Sequence, residues 1–109
     1  MAKGSKRRRK PTAREVQDLE RHDALKVLLE ELGWTITVSR TLDGPGGDCV
    51  VRGARRVIVS GRLGVPERIG LMAEAACRED LGAVFVRPDL RELIEAARTA
   101  GRPGAEIDE

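Results

Sequence analysis

The sequence predicts an α+β fold, in which a small three- to four-stranded, mainly antiparallel sheet packs with three helices in a single domain. The chain has 109 residues, the usual size of one compact domain. Apolar residues recur at helical spacing in three segments, whereas shorter segments between the first two of these have the patterns of strands. The predicted order is helix, strand, strand, strand, helix, helix, and a sheet covered by helices is its simplest packing.

The first helix is expected from about residue 13 to residue 32. Thr12, followed by Glu15 three residues later, is typical of a capping box at a helix start. Gly33 is a natural residue just after a helix end. His22 falls near a gap in the apolar stripe and is expected at the surface or at its boundary. The apolar positions of this stripe are Val16, Leu19, Leu25, Leu28, Leu29 and Leu32.

Three short strands are expected next. Residues 34–40 alternate between apolar and polar side chains, as in a half-buried strand. Residues 49–52 and 56–60 read as a hairpin with Gly53 and Ala54 in the turn, since glycine readily adopts a positive φ. The continuously apolar run at 57–59 is expected of an interior strand covered on both faces. The glycine-rich loop before the hairpin, residues 42–48, leads into a strand and is interpreted as a plain turn rather than a phosphate-binding loop.

The second half of the domain is expected to hold two helices. Pro66 suits the first turn of the second helix, and Ile69, Met72, Ala73 and Ala76 give its apolar stripe. Residues 84–86 form either a fourth strand or a tethering segment. Asp89 opens the third helix, which ends before Gly101. The predicted organisation is a basic arm at residues 1–12 that is disordered, a domain at 13–101 and a flexible acidic tail at 102–109.

Charge is distributed unevenly along the chain. The first 14 residues carry seven basic side chains and no acidic one, whereas the remaining 95 carry 13 basic and 18 acidic side chains, a net charge of −5. The basic run predicts either a phosphate-contacting arm for RNA or DNA or a solvated tail. Arginines at the predicted hairpin suggest a second contact, or an edge protected by charge from aggregation. The predicted nucleic-acid-binding residues are Lys6, Arg7, Arg8, Arg9, Lys10, Arg52, Arg55 and Arg56.

No complete catalytic or metal-ligand set is found in the sequence, so no enzyme activity, metal or other cofactor is predicted. The chain has one histidine, His22, and two cysteines, Cys49 and Cys77, without the close pairing typical of zinc sites. A redox role for the two thiols would require their Cα atoms to lie within about 7 Å. The chain has one Phe, one Trp and no Tyr, which argues against a surface that stacks several bases. We expect a cytoplasmic protein that does not bind membranes, because it has neither a secretory signal nor a long apolar run.

Residues 50–80 resemble the active-site segment of ImmA/IrrE-type zincin peptidases. Those enzymes have a strand, a short loop and a helix with the motif HExxH, and here the helix reads LMAEAAC at residues 71–77. In this resemblance Ala73 and Cys77 occupy the positions of the two histidines, and Glu74 that of the catalytic glutamate. The resemblance therefore implies a minimal zincin-like domain that has lost its metal, because alanine cannot ligate zinc. The turn at residues 46–49 also resembles a Gly-Gly-x-Cys turn of small bacterial proteins, from which no activity is carried over.

These patterns favour a non-catalytic interaction domain with a basic N-terminal arm. Its expected partners are RNA or DNA, bound by the arm, and a protein, which includes a second copy of the chain in a homodimer. The alternative is a metal-dependent hydrolase, a degenerate zincin peptidase that uses Glu74 with Cys77, Cys49 or His22 as ligands. A thiol-based redox or regulatory protein is a third interpretation.

Overall fold

One helix, three consecutive strands and two further helices follow one another along the chain, and the predicted α+β class is confirmed. The computed structural model describes residues 10–100 and 105–107. The order of the first six elements is the predicted one. The helices are α1 (Ala13–Glu31), α2 (Val65–Ala76) and α3 (Pro88–Ala100), and the strands are β1 (Thr35–Ser39), β2 (Gly46–Val51), β3 (Ala54–Ser60) and β4 (Ala105–Ile107).

The sheet has the strand order β1-β3-β2-β4. β3 pairs with β1 in parallel and with β2 in antiparallel orientation, while β4 pairs with β2 in parallel. The sheet is therefore mixed rather than mainly antiparallel, because the loop after β1 carries the chain past the place of β3 before β2 begins. β4 falls within residues 102–109, for which the sequence predicts a flexible tail. Residues 84–86 form no strand, and Val86 is buried as part of the connection into α3.

The helices α1 and α2 pack on one face of the sheet, and α3 packs on α1 and α2. Side chains alternate across a strand, so Val57 and Val59 of β3 face the helices whereas Ile58 between them points to the other face. Both valines are buried with Leu25 of α1 and Met72 of α2. Ile58 is half-buried, so the expectation of an interior strand fully covered on both faces is wrong for this residue.

The first helix starts as predicted but buries less of its stripe. Thr12 Oγ1 accepts a hydrogen bond from the Glu15 amide at 3.1 Å, and Glu15 Oε1 accepts one from the Thr12 amide at 2.9 Å. Val16 and Leu19, predicted to be buried, are 44% and 47% exposed. The reason is that α1 has 19 residues and α2, its main packing partner, has 12. The early turns of α1 therefore extend past the surface that would cover them.

The hairpin turn lies one residue earlier than predicted. Its central residues are Arg52 and Gly53, with φ of 54° and 83°, and Val51 pairs with Ala54. Positive φ at both positions is typical of a type I′ turn, whose twist suits a two-residue hairpin. Gly53 supplies the second position, and Arg52 takes a conformation that a non-glycine residue seldom adopts.

The domain has two distinct ends. We call the end with the Arg52–Gly53 turn the hairpin end, where α1 finishes near Leu32. We call the opposite end, at the carboxyl ends of β1 and β3, the loop end, where α2 begins after Gly64. Both α1 and α2 run from the loop end to the hairpin end, and α1 spans about 27 Å. The N-terminal arm is therefore joined to the domain at the loop end.

Candidate functional site

The three hairpin arginines do not form one surface. The side chain of Arg55 points to the helices, where it forms an ion pair with Glu79 and donates from Nη2 to the carbonyl oxygen of Leu32 at 2.9 Å. Arg56, the next residue, is exposed on the opposite face of the sheet, and Arg52 is exposed in the turn. The pleat of β3 separates neighbouring side chains, so consecutive arginines on this strand cannot contact one groove together.

Arg55 instead belongs to a three-residue cluster at the hairpin end. The Trp34 indole donates from Nε1 to Glu79 Oε2 at 2.8 Å, and this same oxygen pairs with Arg55. The Arg55 guanidinium also lies over the Trp34 ring, 5.7 Å from its centroid. Cation–π contact and the shared carboxylate together link the start of β1, β3 and the segment after α2. The residues Trp34, Arg55 and Glu79 thus hold the fold together at this end.

A second ion pair links β2 to the end of α2. Asp48 is buried, and its Oδ2 accepts a hydrogen bond from Arg78 Nε at 2.7 Å, while Oδ1 accepts from Nη2 at 3.4 Å. The hydrogen bond to Asp48 raises the pKa of Arg78, an effect that desolvation partly opposes. Arg78 is the counter-charge that a buried carboxylate such as Asp48 requires.

The three positions that matter to the zincin resemblance lie on the last turns of α2. Ala73 is buried and offers no ligand atom, and Glu74 is half-buried. The Cys77 thiol donates to the Glu74 carbonyl oxygen, with Sγ at 3.1 Å. His22 contributes to a cleft near the start of α2, at the opposite end of the helix from Cys77. Within residues 10–100, no three His, Cys, Asp or Glu side chains are grouped so that they could hold a metal ion.

The two free thiols lie on different sides of β2. Asp48 faces α2, as its pair with Arg78 requires, so the next side chain, Cys49, points to the other face of the sheet. Cys77 packs against the core on the helix side. The strand therefore separates Cys49 from Cys77, and the geometry does not support the thiol-pair interpretation.

The loop end carries a basic surface that sequence reasoning missed in part. Arg40, just after β1, borders Gly61, and Arg62 follows that glycine after β3; both arginines are exposed. In the described part of the chain neither has a carboxylate partner. Lys10 is also exposed, immediately before α1, whereas Lys6, Arg7, Arg8 and Arg9 lie outside the described residues. The parallel pairing of β1 with β3 brings Arg40 and Arg62, 22 positions apart, to the same end of the sheet.

An apolar groove lies between α1 and the segment that leads into α3. Its volume is about 410 Å³, and Val27, Leu28 and Leu90 contribute to its lining. Phe85 at its edge is 83% exposed, and Val27 is 53% exposed. An apolar side chain exposed to this extent beside an apolar groove is typical of an interaction surface.

The chain matches no protein-family model, no curated protein and no solved structure. No helix in the described ranges has both the length and the apolar character needed to cross a bilayer. The fold and the charged residues therefore define a small α+β domain with its helices on one face of a mixed sheet and a basic loop end.

Proposed function

We propose that this chain is a non-catalytic interaction domain that binds RNA or DNA through its N-terminal arm and its loop end. The observation that carries the proposal is the direction of α1, which joins the arm to the end where Arg40 and Arg62 are exposed. Cations in the arm and on the domain can then contact successive phosphates of one backbone. The hairpin arginines have no such relation to the arm, since the length of α1, about 27 Å, separates them from Ala13, where the arm joins the domain.

The charge balance supports the same division of roles. Residues 15–109 have a net charge of −5, so the body as a whole does not attract a polyanion. Binding must therefore use local positive surfaces, of which the arm is the strongest. Phosphate contacts of this kind do not distinguish sequences, and their affinity falls steeply with salt.

The test is a salt series of binding to labelled RNA and to duplex DNA, measured by fluorescence anisotropy with the full chain. The arm variant K6Q/R7Q/R8Q/R9Q/K10Q should lower the slope of log K against log salt by about 4, if each cation contacts one phosphate. The loop-end variant R40Q/R62Q should lower it by about 1 to 2. R52Q/R56Q, a matched control at the hairpin end, should leave the slope unchanged.

Two results would overturn the proposal. One is the absence of binding to either nucleic acid at low salt. The other is a decrease of the salt slope in R52Q/R56Q as large as the decrease in R40Q/R62Q. Such a result would mean that total charge rather than the loop end decides affinity.

The exposed Phe85 favours a second candidate, self-association into a homodimer. A protruding apolar side chain beside an apolar groove on the same surface is self-complementary under two-fold symmetry. Phe85 of each copy would enter the groove beside Val27 of the other. Sedimentation of the wild-type chain should show a concentration-dependent dimer that Phe85→Ser abolishes. Val38→Ser, at another exposed apolar residue, should not change it, and a wild-type monomer at all concentrations would refute this candidate.

We propose that the zincin-like segment serves as a structural scaffold and binds no metal. What supports this is the side chain at residue 73, since a buried alanine provides no ligand where the motif needs histidine. The competing hydrolase would need zinc bound near Glu74 and Cys77. Metal analysis of the purified chain, with zinc added and then dialysed, distinguishes the two: stoichiometric zinc that Cys77→Ser removes would favour the hydrolase. We further propose that the protein acts in the cytoplasm.

A further inference from the structure

A small cleft opens between α1 and α2 above the β1–β3 pair. Its volume is about 110 Å³, and its polar lining consists of His22, Lys26 and Arg68. Its floor is apolar and is formed by Ile36, Val38, Val59 and Met72. Neither the arm nor the homodimer surface includes this cleft, so its chemistry is a separate question.

The polar lining converges from two helices. His22 and Lys26 are four residues apart on α1 and so lie on one face of that helix. Arg68 of α2 donates from Nε to the carbonyl oxygen of Leu63 at 3.2 Å and from Nη2 to that of Gly61 at 3.4 Å. Neutral carbonyl oxygens orient this guanidinium without cancelling its charge. In the described part of the chain, neither Lys26 nor Arg68 forms an ion pair with a carboxylate.

The imidazole of His22 is oriented as well. Its Nδ1 lies 2.9 Å from Asp23 Oδ1 in a hydrogen bond, which leaves Nε2 for another partner. Asp23 itself is 73% exposed and points away to solvent, so it reduces the positive charge at the cleft only in part. The cleft thus combines two cations, one ring nitrogen and an apolar floor.

We propose that this cleft binds the phosphate group of a phosphate ester whose small organic part rests on the apolar floor. A phosphate has acceptor oxygens in several directions, which suits donors that approach from α1 and α2, whereas a carboxylate presents its acceptors in one plane. The volume is well below the roughly 300 Å³ at which drug-sized pockets begin, so the ligand is small or enters by one end only. The source of the phosphate is either a free metabolite or a phosphate of a nucleic acid.

His22 is the only histidine in the chain, and its imidazole resonance is therefore an unambiguous reporter. The experiment follows the imidazole ¹H–¹³C signal during titration with phenyl phosphate, at constant pH and ionic strength set by chloride. We expect a saturable shift with a dissociation constant in the millimolar range or tighter, about −4 kcal/mol or better. Lys26→Gln and Arg68→Gln should each weaken binding by about tenfold, while Arg56→Gln on the other face should have no effect.

The outcomes separate this proposal from nucleic-acid binding by the arm, because phenyl phosphate contains no nucleotide. A shift that does not saturate, or one that persists in Lys26→Gln and Arg68→Gln, would overturn the proposal. Arg68 also holds the loop before α2, so Arg68→Gln could fail to fold for a structural reason. In that case Lys26→Gln alone tests the proposal. A further titration with a short oligonucleotide that lacks terminal phosphates identifies the source: competition with phenyl phosphate assigns the cleft to a backbone phosphate, and its absence to a free phosphomonoester.

Discussion

Arg78 holds both carboxylate oxygens of Asp48, although 30 residues separate them along the chain. The pair fixes the end of α2 over β2. Next to it, Glu79 binds Trp34 and Arg55, so two consecutive residues after α2 secure the helix layer to the sheet. Two ion pairs, Arg55–Glu79 and Asp48–Arg78, thus hold the hairpin end, whereas Arg40 and Arg62 at the loop end form no ion pair within the described residues.

The two partners of the Asp48–Arg78 pair should contribute unequally to stability. The Asp48 side chain is 6% exposed and that of Arg78 is 27% exposed. Arg78→Ala leaves a buried carboxylate without a counter-charge and should lower the free energy of unfolding by about 3 kcal/mol. Asp48→Ala leaves Arg78 without its partner, but this side chain can reach water. The free energy of unfolding should therefore fall by only about 1 to 2 kcal/mol. Urea unfolding measures the stability of both single variants. The double variant should be destabilised by less than the sum of the two single effects. Equal and additive effects would contradict this account.

Loss of the Glu79 carboxylate should destabilise the hairpin end. Glu79→Ala removes the acceptor of the buried Trp34 indole and the counter-charge of Arg55, and we expect a loss of about 2 kcal/mol. Trp34 is the only tryptophan, so its fluorescence should report the change directly. Glu95→Ala is the matched control, since its pair with Arg98 is exposed and should change stability by less than about 0.5 kcal/mol. The interpretation fails if the two variants behave alike.

Gly46 should tolerate no side chain. Its φ is +106°, and a Cβ there would lie 1.9 Å from the carbonyl oxygen of Ile58 on the paired strand. Gly46→Ala should therefore lower the free energy of unfolding by about 3 kcal/mol or more. Part of this loss is backbone strain, and part is displacement of the paired strand β3. Gly44 has a similar φ of +97°, but a Cβ there would meet no other atom. Gly44→Ala should therefore lower the free energy of unfolding by the backbone strain alone, about 1 kcal/mol. Thermal unfolding of both variants separates the two contributions.

Asp89 should contribute to stability only above acidic pH. The hydrogen bond from Arg87 lowers its pKa, as do the Arg87 charge and the backbone amide of Leu90, although desolvation opposes them. A carboxyl whose pKa is lower in the folded state stabilises the fold above its unfolded pKa, and this stabilisation is lost as pH falls through the folded pKa.

The melting temperature of the wild-type chain should therefore fall as the pH drops below about 4, the ordinary pKa of an aspartate, and through the lower pKa of folded Asp89. Asp89→Asn should have a lower melting temperature at neutral pH and a shallower fall in acid. Arg87→Gln should flatten the same part of the curve, because it removes the largest cause of the pKa shift. An acid dependence identical in all three proteins would show that Asp89 plays no part in it.

The sequence by itself determined the local structure well. Thr12 and Glu15 predict the start of α1 because the capping box joins residues three positions apart. A glycine at the hairpin predicts a tight turn, although the turn lies at Arg52 and Gly53, one residue earlier than predicted. The position of α3 likewise follows from its apolar spacing. In each case the interactions that decide the structure lie within a few residues.

Only the tertiary structure decided which strands are neighbours and which charges meet. The pairing of β1 with β3 depends on the path of a loop, for which local pattern offers no signal. The mixed sheet and the placement of Arg40 and Arg62 at one end of it were therefore not predictable. The predicted arginine cluster divided because the pleat of β3 sends Arg55 and Arg56 to opposite faces. Roles for the arm residues and for Glu74 stay predictions. Contacts between residues far apart in sequence form only when the whole chain packs, and for this reason composition and spacing do not reveal them.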